Sequence, residues 1–165
     1  MPENPYRAPE APVAGADRDE RVGSPVKAIL VGLAVDIGGS IVGGTVLAIV
    51  WGIVLGAGGA SSDEIDRFFR ESQTFLWASL CTGLAFTGVG AYVTARIANR
   101  AEYRFALMLG LCSLAFSELM LRMLSSDAYP EWARLVGTLL VLPVAFLGGH
   151  LRVLEKERRN RRAGP

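Results

Sequence analysis

Residues 28–57 read AILVGLAVDIGGSIVGGTVLAIVWGIVLGA, and Asp36 is the only charge among them. The hydrocarbon core of a bilayer takes about 20 largely uncharged residues per helix, so this stretch is long enough to cross one. Three more apolar stretches follow, at residues 74–95, 105–124 and 135–151. Together the four hold 89 of the 165 residues but only three of the 33 charges, namely Asp36, Glu118 and Arg122. Averaged over the chain, 51% apolar residues and a net charge of +1 resemble an ordinary soluble domain and hide this segregation. The expected fold is therefore all-α: a polytopic membrane protein built as a four-transmembrane-helix bundle. Its membrane domain should cover residues 26–154, with helices near 28–57, 74–97, 104–124 and 132–154. Residues 155–165 form a basic tail that continues the last helix into water.

The flanks exclude several functions. Residues 1–25 hold five prolines among mixed charges and read as a disordered tail, too poor in apolar periodicity to fold. A cleaved signal peptide would need a core of about 7–15 apolar residues after a basic start. Here the apolar run begins only near Val26 and is far longer. Cys81 and Cys112 fall at different depths of their helices, so no bridge between them is expected. His150 has no partners for a metal set, and no nucleophile–base pair or phosphate loop is visible. No catalytic activity, no cofactor and no nucleic-acid partner are expected.

Orientation follows from the basic residues. With both termini on one side, that side carries 13 of the 17 Lys and Arg against 3 opposite, Arg122 lying within a helix. Positive residues stay cytoplasmic, which puts both termini inside. On the outside, Ser61 precedes Glu64 by three residues, the spacing of a capping box, and Ile65, Phe68 and Phe69 follow at helical spacing, predicting a short amphipathic helix. Tyr129, Pro130 and Trp132 mark the second outer connection, where amphipathic aromatics suit the headgroup layer. Inside, Lys156, Arg158, Arg159, Arg161 and Arg162 either fix topology or draw anionic lipid.

Small residues recur every four positions in the first helix: Gly32, Asp36, Ser40, Gly44, Ala48, Gly52 and Gly56. Gly39 and Gly43 widen that face. In lipid, helices associate where small side chains let backbones approach. The second helix repeats the pattern with Ser79, Gly83, Thr87, Ala91 and Ala95, and the fourth with Ala133, Gly137, Ala145 and Gly149. Two arrangements are open: the rows bury one another within one bundle, or the first row faces outward and builds an oligomer or meets another membrane protein.

An intramembrane charge is a functional candidate because insertion disfavours it by roughly 2.5–3.5 kcal/mol. Arg122 follows Glu118 by four residues, which predicts a pair within one helix, the alternative being a proton or substrate role for Glu118. Asp36 has no basic residue three or four positions away. It is either held neutral or finds a donor on another helix, with Ser40 and Thr87 as candidate neighbours, or it caps a break at Gly38 and Gly39. Pro143 should kink the fourth helix.

Two short patterns add a resemblance. Asn4-Pro5-Tyr6-Arg7-Ala8-Pro9 is similar to the Asn-Pro-Tyr-x-x-Pro start of small uncharacterised bacterial membrane proteins. Gly90-Ala91-Tyr92-Val93-Thr94-Ala95-Arg96-Ile97-Ala98 resembles the end of the second helix in small four-helix families, with Asn99 where a glycine is usual. The resemblance implies a bacterial inner-membrane setting and no activity. Two functions compete: an accessory or scaffold protein acting by helix association, and a small transporter or oligomeric pore in which Asp36, with Glu118, handles a proton or cation.

Overall fold

A computed structural model describes residues 24–123 and 130–163. The chain is all-α, with helices α1 (Pro25–Ala57), α2 (Ser62–Glu71), α3 (Gln73–Ala98), α4 (Glu102–Met123) and α5 (Glu131–Ala163). Four of these, all but α2, are long and apolar enough to cross a membrane. The tail expected before residue 24, the pattern at residues 4–9 and Tyr129 lie outside the described residues. Pro25 already belongs to α1, since its fixed φ and missing N–H suit a first helical position.

The ends of the helices follow local chemistry. At the close of α1, Gly59 takes a φ of 86°, and the amides of Gly59 and Ala60 reach back to the carbonyls of Gly56 and Leu55. This is the glycine-dependent stop expected where a residue must turn left-handed. Ser61 then opens α2 with the anticipated capping box: its amide donates to Glu64 Oε2 at 2.7 Å, and its hydroxyl accepts from the Glu64 amide at 3.4 Å. Asn99 closes α3 in the left-handed region, with a φ of 48°. Asparagine tolerates that region better than most residues, so it serves where glycine is usual. The three residues between α3 and α4 leave room only for antiparallel neighbours. α5 continues through the exposed Pro143 as one helix and carries the basic residues 156, 158, 159, 161 and 162 on its last turns.

The Ser61–Glu64 box gives α2 a pH dependence. The Ser61 amide and hydroxyl hold the Glu64 carboxyl below its ordinary value of 4.5. A carboxyl lowered in the folded state stabilises α2 above that ordinary value, and the contribution disappears as pH falls through the lowered one. Amide protection in α2, corrected for intrinsic exchange rates, is therefore expected to fall relative to α3 below pH ~4. Ser61→Ala should lower it at neutral pH as well, by about 1 kcal/mol.

Packing centres on α3, which touches every other helix, whereas α1 touches α2, α3 and α4 and makes no contact with α5 among the described residues. The interior is built from small side chains: Ala91, Ala106 and Ala145 surround Leu109, the largest side chain fully enclosed. α3 is pinched on two sides. On one, a Cβ added to Gly90 would lie 2.7 Å from the Gly32 carbonyl oxygen of α1. On the other, a Cβ on Gly148 of α5 would lie 2.3 Å from the Gly88 carbonyl oxygen. α4 meets α5 in the same way, through Gly110 against Ala145 and Gly149 against Ala106. Backbones this close gain dispersion contacts along their whole length, the source of cohesion that remains when helices sit in apolar surroundings.

The large aliphatic residues point the other way. Ile41, Val42, Val46, Ile49, Val50, Ile53 and Val54 of α1 are all more than half exposed, as are Leu135, Leu139, Leu147 and Leu151 of α5. Aromatic rings gather towards the two ends of the bundle. At the α2 end, Phe68 meets Trp51 and Trp77 meets Trp132, each pair tilted with ring centroids 5.0 Å apart. At the opposite end, Tyr103 stacks on Phe146 and its hydroxyl meets His150 Nδ1 at 2.9 Å.

Candidate functional site

The two sequence candidates, the acidic residue in α1 and the small-residue row around it, occupy one helix but separate in space. Asp36 is 3% exposed and lies against α3. The Thr87 hydroxyl donates to its Oδ1 at 2.8 Å, with the Gly83 carbonyl at 3.2 Å as that hydroxyl's other neighbour. Ser40 makes no such bond to it among the described residues, and α1 runs unbroken through Gly38 and Gly39, so no helix break is capped there. Asp36 Oδ2 is buried and has no hydrogen-bond partner among the described residues. Gly90 makes the space: a Cβ there would be 3.0 Å from Asp36 Cβ.

The stride-four row does not form one face. Each step of four residues advances an α-helix by about 40° beyond a full turn. Gly44 therefore lies about 120° round from Gly32, and Gly56 about 240°. The contact face instead follows Ala28, Gly32, Asp36, Gly39 and Gly43, where a step of three corrects the drift. Along it a Cβ on Gly32 would fall 1.8 Å from Thr94 Oγ1, and one on Gly39 or Gly43 would run into Phe86. At Gly38, Gly44, Gly52 and Gly56, by contrast, an added Cβ would meet nothing within 4 Å. Ser40 and Ala48 are half-buried on the transition between the two sides.

In α3 the row is mostly inside: Thr87, Ala91 and Ala95 are buried, while Gly83 has open space beside it. Thr94 is fully buried too, its hydroxyl 2.9 Å from the Gly90 carbonyl and 3.3 Å from that of Ala28 in α1. Thus Gly90, Ala91, Thr94, Ala95 and Ala98 of the familiar pattern are all packing residues.

The charge pair expected within α4 is not the one formed. Glu118 Oε2 is 3.8 Å from Arg134 Nη2 of α5, with both side chains nearly half exposed. α5 antiparallel to α4 brings Arg134 level with Glu118, whereas Arg122 sits one turn further on, exposed in the last turn of α4. Glu118 and Asp36 are accordingly not parts of one site: one is a half-exposed cross-helix ion pair, the other a buried carboxyl held by a threonine.

Sequence reasoning missed a polar cluster at the terminal end of the bundle. Tyr92 donates to Glu155 Oε2 at 2.5 Å, Arg152 Nη1 reaches the same oxygen at 3.0 Å, and Arg159 pairs with Glu155 Oε1. Lys156 Nζ lies 3.6 Å from Glu102 of α4. A spacing of four within one helix accounts for the Glu155–Arg159 pair alone; the contribution of Tyr92 depends on α3 and α5 lying side by side, which no local spacing reports. Compared with protein-family profiles, with curated proteins and with solved structures, the chain matches none.

Proposed function

We propose that the chain is a four-span integral membrane protein of a bacterial inner membrane, both termini cytoplasmic. It works by helix association, as an accessory or scaffold, through the part of α1 that its own bundle leaves bare. The observation carrying this reading is the open glycine surface: Gly44, Gly52 and Gly56 have no neighbour where a side chain would begin, amid exposed Ile and Val. A glycine facing lipid gains nothing over a larger apolar residue, but a glycine facing another helix allows close approach. The aliphatic exterior, the aromatics at both ends and the 13-to-3 division of basic residues support insertion and its direction.

The test uses the full chain in native membranes, with Cys81 and Cys112 replaced by serine and a single cysteine introduced by Ile41→Cys, an exposed position on the same side of α1 as Gly44 and Gly52. A specific cross-linked species, either a dimer or one with a co-purified membrane protein, is expected, and Gly44→Leu with Gly52→Leu should abolish it while the protein remains folded. An unchanged cross-linking pattern in that double variant overturns the reading. Reporter fusions at residue 60 and at residue 165 check the orientation separately. A second reading, proton or cation handling, is favoured by one observation, the unpartnered Asp36 Oδ2.

A further inference from the structure

An open groove of about 480 Å³ runs between α3 and α5, lined by Leu84, Gly88, Val89, Tyr92, Val144 and Leu151 among others. Its size falls within the roughly 300–1,000 Å³ of clefts that hold small molecules. Gly88 and Gly148 form its floor, where the two helices approach most closely. Towards the middle of the bundle the walls are wholly aliphatic. Towards the terminal end they change character at Tyr92, whose hydroxyl is held by Glu155.

Beyond Tyr92 the same faces turn basic. Arg96 lies one turn further along α3 and is exposed. Arg158 lies two turns beyond Leu151 on the groove side of α5, about 20° from its line, and is also exposed. Glu155 is the only acid on that rim of α5, and its two oxygens are already engaged by Tyr92, Arg152 and Arg159. Arg152 is 11% exposed, and its buried Nε has no partner among the described residues. The rim thus presents two exposed arginines, Arg96 and Arg158, beyond the end of an apolar trough.

We infer that this groove is a binding site for one anionic phospholipid of the surrounding leaflet, with an acyl chain along the trough and the phosphate between Arg96 and Arg158. Charge complementarity decides the occupant, since a neutral apolar helix would fill the trough but leave the arginines unanswered. The inference rests on the proposed membrane insertion, which places this rim at phosphate level. It relocates the basic tail's role from a diffuse attraction to a defined pair of residues on two helices.

The test is a titration of the full chain, purified in a mild detergent, with phosphatidylglycerol or with phosphatidylcholine of the same acyl composition, read by native mass spectrometry and by thermal unfolding. Retained phosphatidylglycerol and a raised unfolding temperature are expected, with no comparable effect of phosphatidylcholine. Arg96→Gln with Arg158→Gln should weaken phosphatidylglycerol binding on the order of tenfold. Arg104→Gln with Arg161→Gln, an equal loss of charge away from the groove, should leave it within a factor of two of wild type. Ala85→Trp, which fills the trough from an exposed position, should weaken it without any change of charge. Arg96→Lys with Arg158→Lys should restore most of it, showing that the glutamine variants did not act by misfolding. Equal retention of the two lipids, or equal losses from the two glutamine pairs, overturns the inference. Failure of insertion itself would show differently, as extraction of the chain from membranes by alkaline carbonate.

Discussion

Gly32→Leu is expected to destabilise the bundle by about 3 kcal/mol or more, and Gly44→Leu to leave its stability within ~0.5 kcal/mol of wild type. Both glycines belong to the same stride-four row, so their local sequence gives no reason for a difference. At Gly32 the first added carbon would already lie 1.8 Å from Thr94 Oγ1, 2.8 Å from a Leu109 methyl and 2.9 Å from the Gly90 carbonyl oxygen. The threonine could rotate, at the loss of its bonds to Gly90 and Ala28. The backbone oxygen cannot, so α1 must move away from α3 and carry Asp36 from Thr87. At Gly44 the same carbon meets nothing within 4 Å. Reversible unfolding in mixed micelles, followed by helical circular dichroism, gives both values. A Gly32→Leu protein as stable as wild type would mean that α1 does not pack on α3 through this face. With the cross-linking test the two positions form a double dissociation: Gly32 governs folding and Gly44 association.

That contrast also marks how far the sequence could be read. The four apolar stretches, the capping box at Ser61 and the short helix after it depend on properties of consecutive residues, and the helices lie where those properties place them. The partner of each small residue depends on how helices are arranged about one another, and a single-helix spacing cannot carry that. On paper the row in α1 is a line, but a line of stride four winds about the helix axis, so its start packs on α3 and its end does not. Gly39 and Gly43, noted only as widening the row, are instead its continuation on the buried side. Glu118 shows the same limit: a spacing of four permits a pair with Arg122, and the antiparallel α5 supplies Arg134 instead. Tyr92 carried no signal as a polar partner, because Glu155 lies 63 positions away.

Asp36 is where fold and function can be separated by a pair of substitutions. Asp36→Arg is expected to prevent α1 from docking, a loss of several kcal/mol, because an unpaired charge would replace a side chain that is 3% exposed, in a space made for a smaller one. Gly90 leaves room for the carboxyl, not for a guanidinium. Asp36→Asn has nearly the same outline and keeps an oxygen for the Thr87 hydroxyl, a bond worth about 0.6 kcal/mol and at most ~1.7 between helices in a membrane. Its folding should therefore stay within ~1 kcal/mol of wild type. The asparagine variant then divides the two functional readings. If association through α1 is the whole activity, Asp36→Asn in reconstituted vesicles behaves as wild type in cross-linking and shows the same proton and cation flux, at the level of protein-free vesicles. If the wild type conducts and the folded asparagine variant does not, the unpartnered Oδ2 is a working group, and the association-only reading fails. Thr87→Val supports the distinction, since it removes the hydrogen bond but leaves the carboxyl: a structural role predicts a small loss of stability, and a conducting role a change in flux larger than that loss explains.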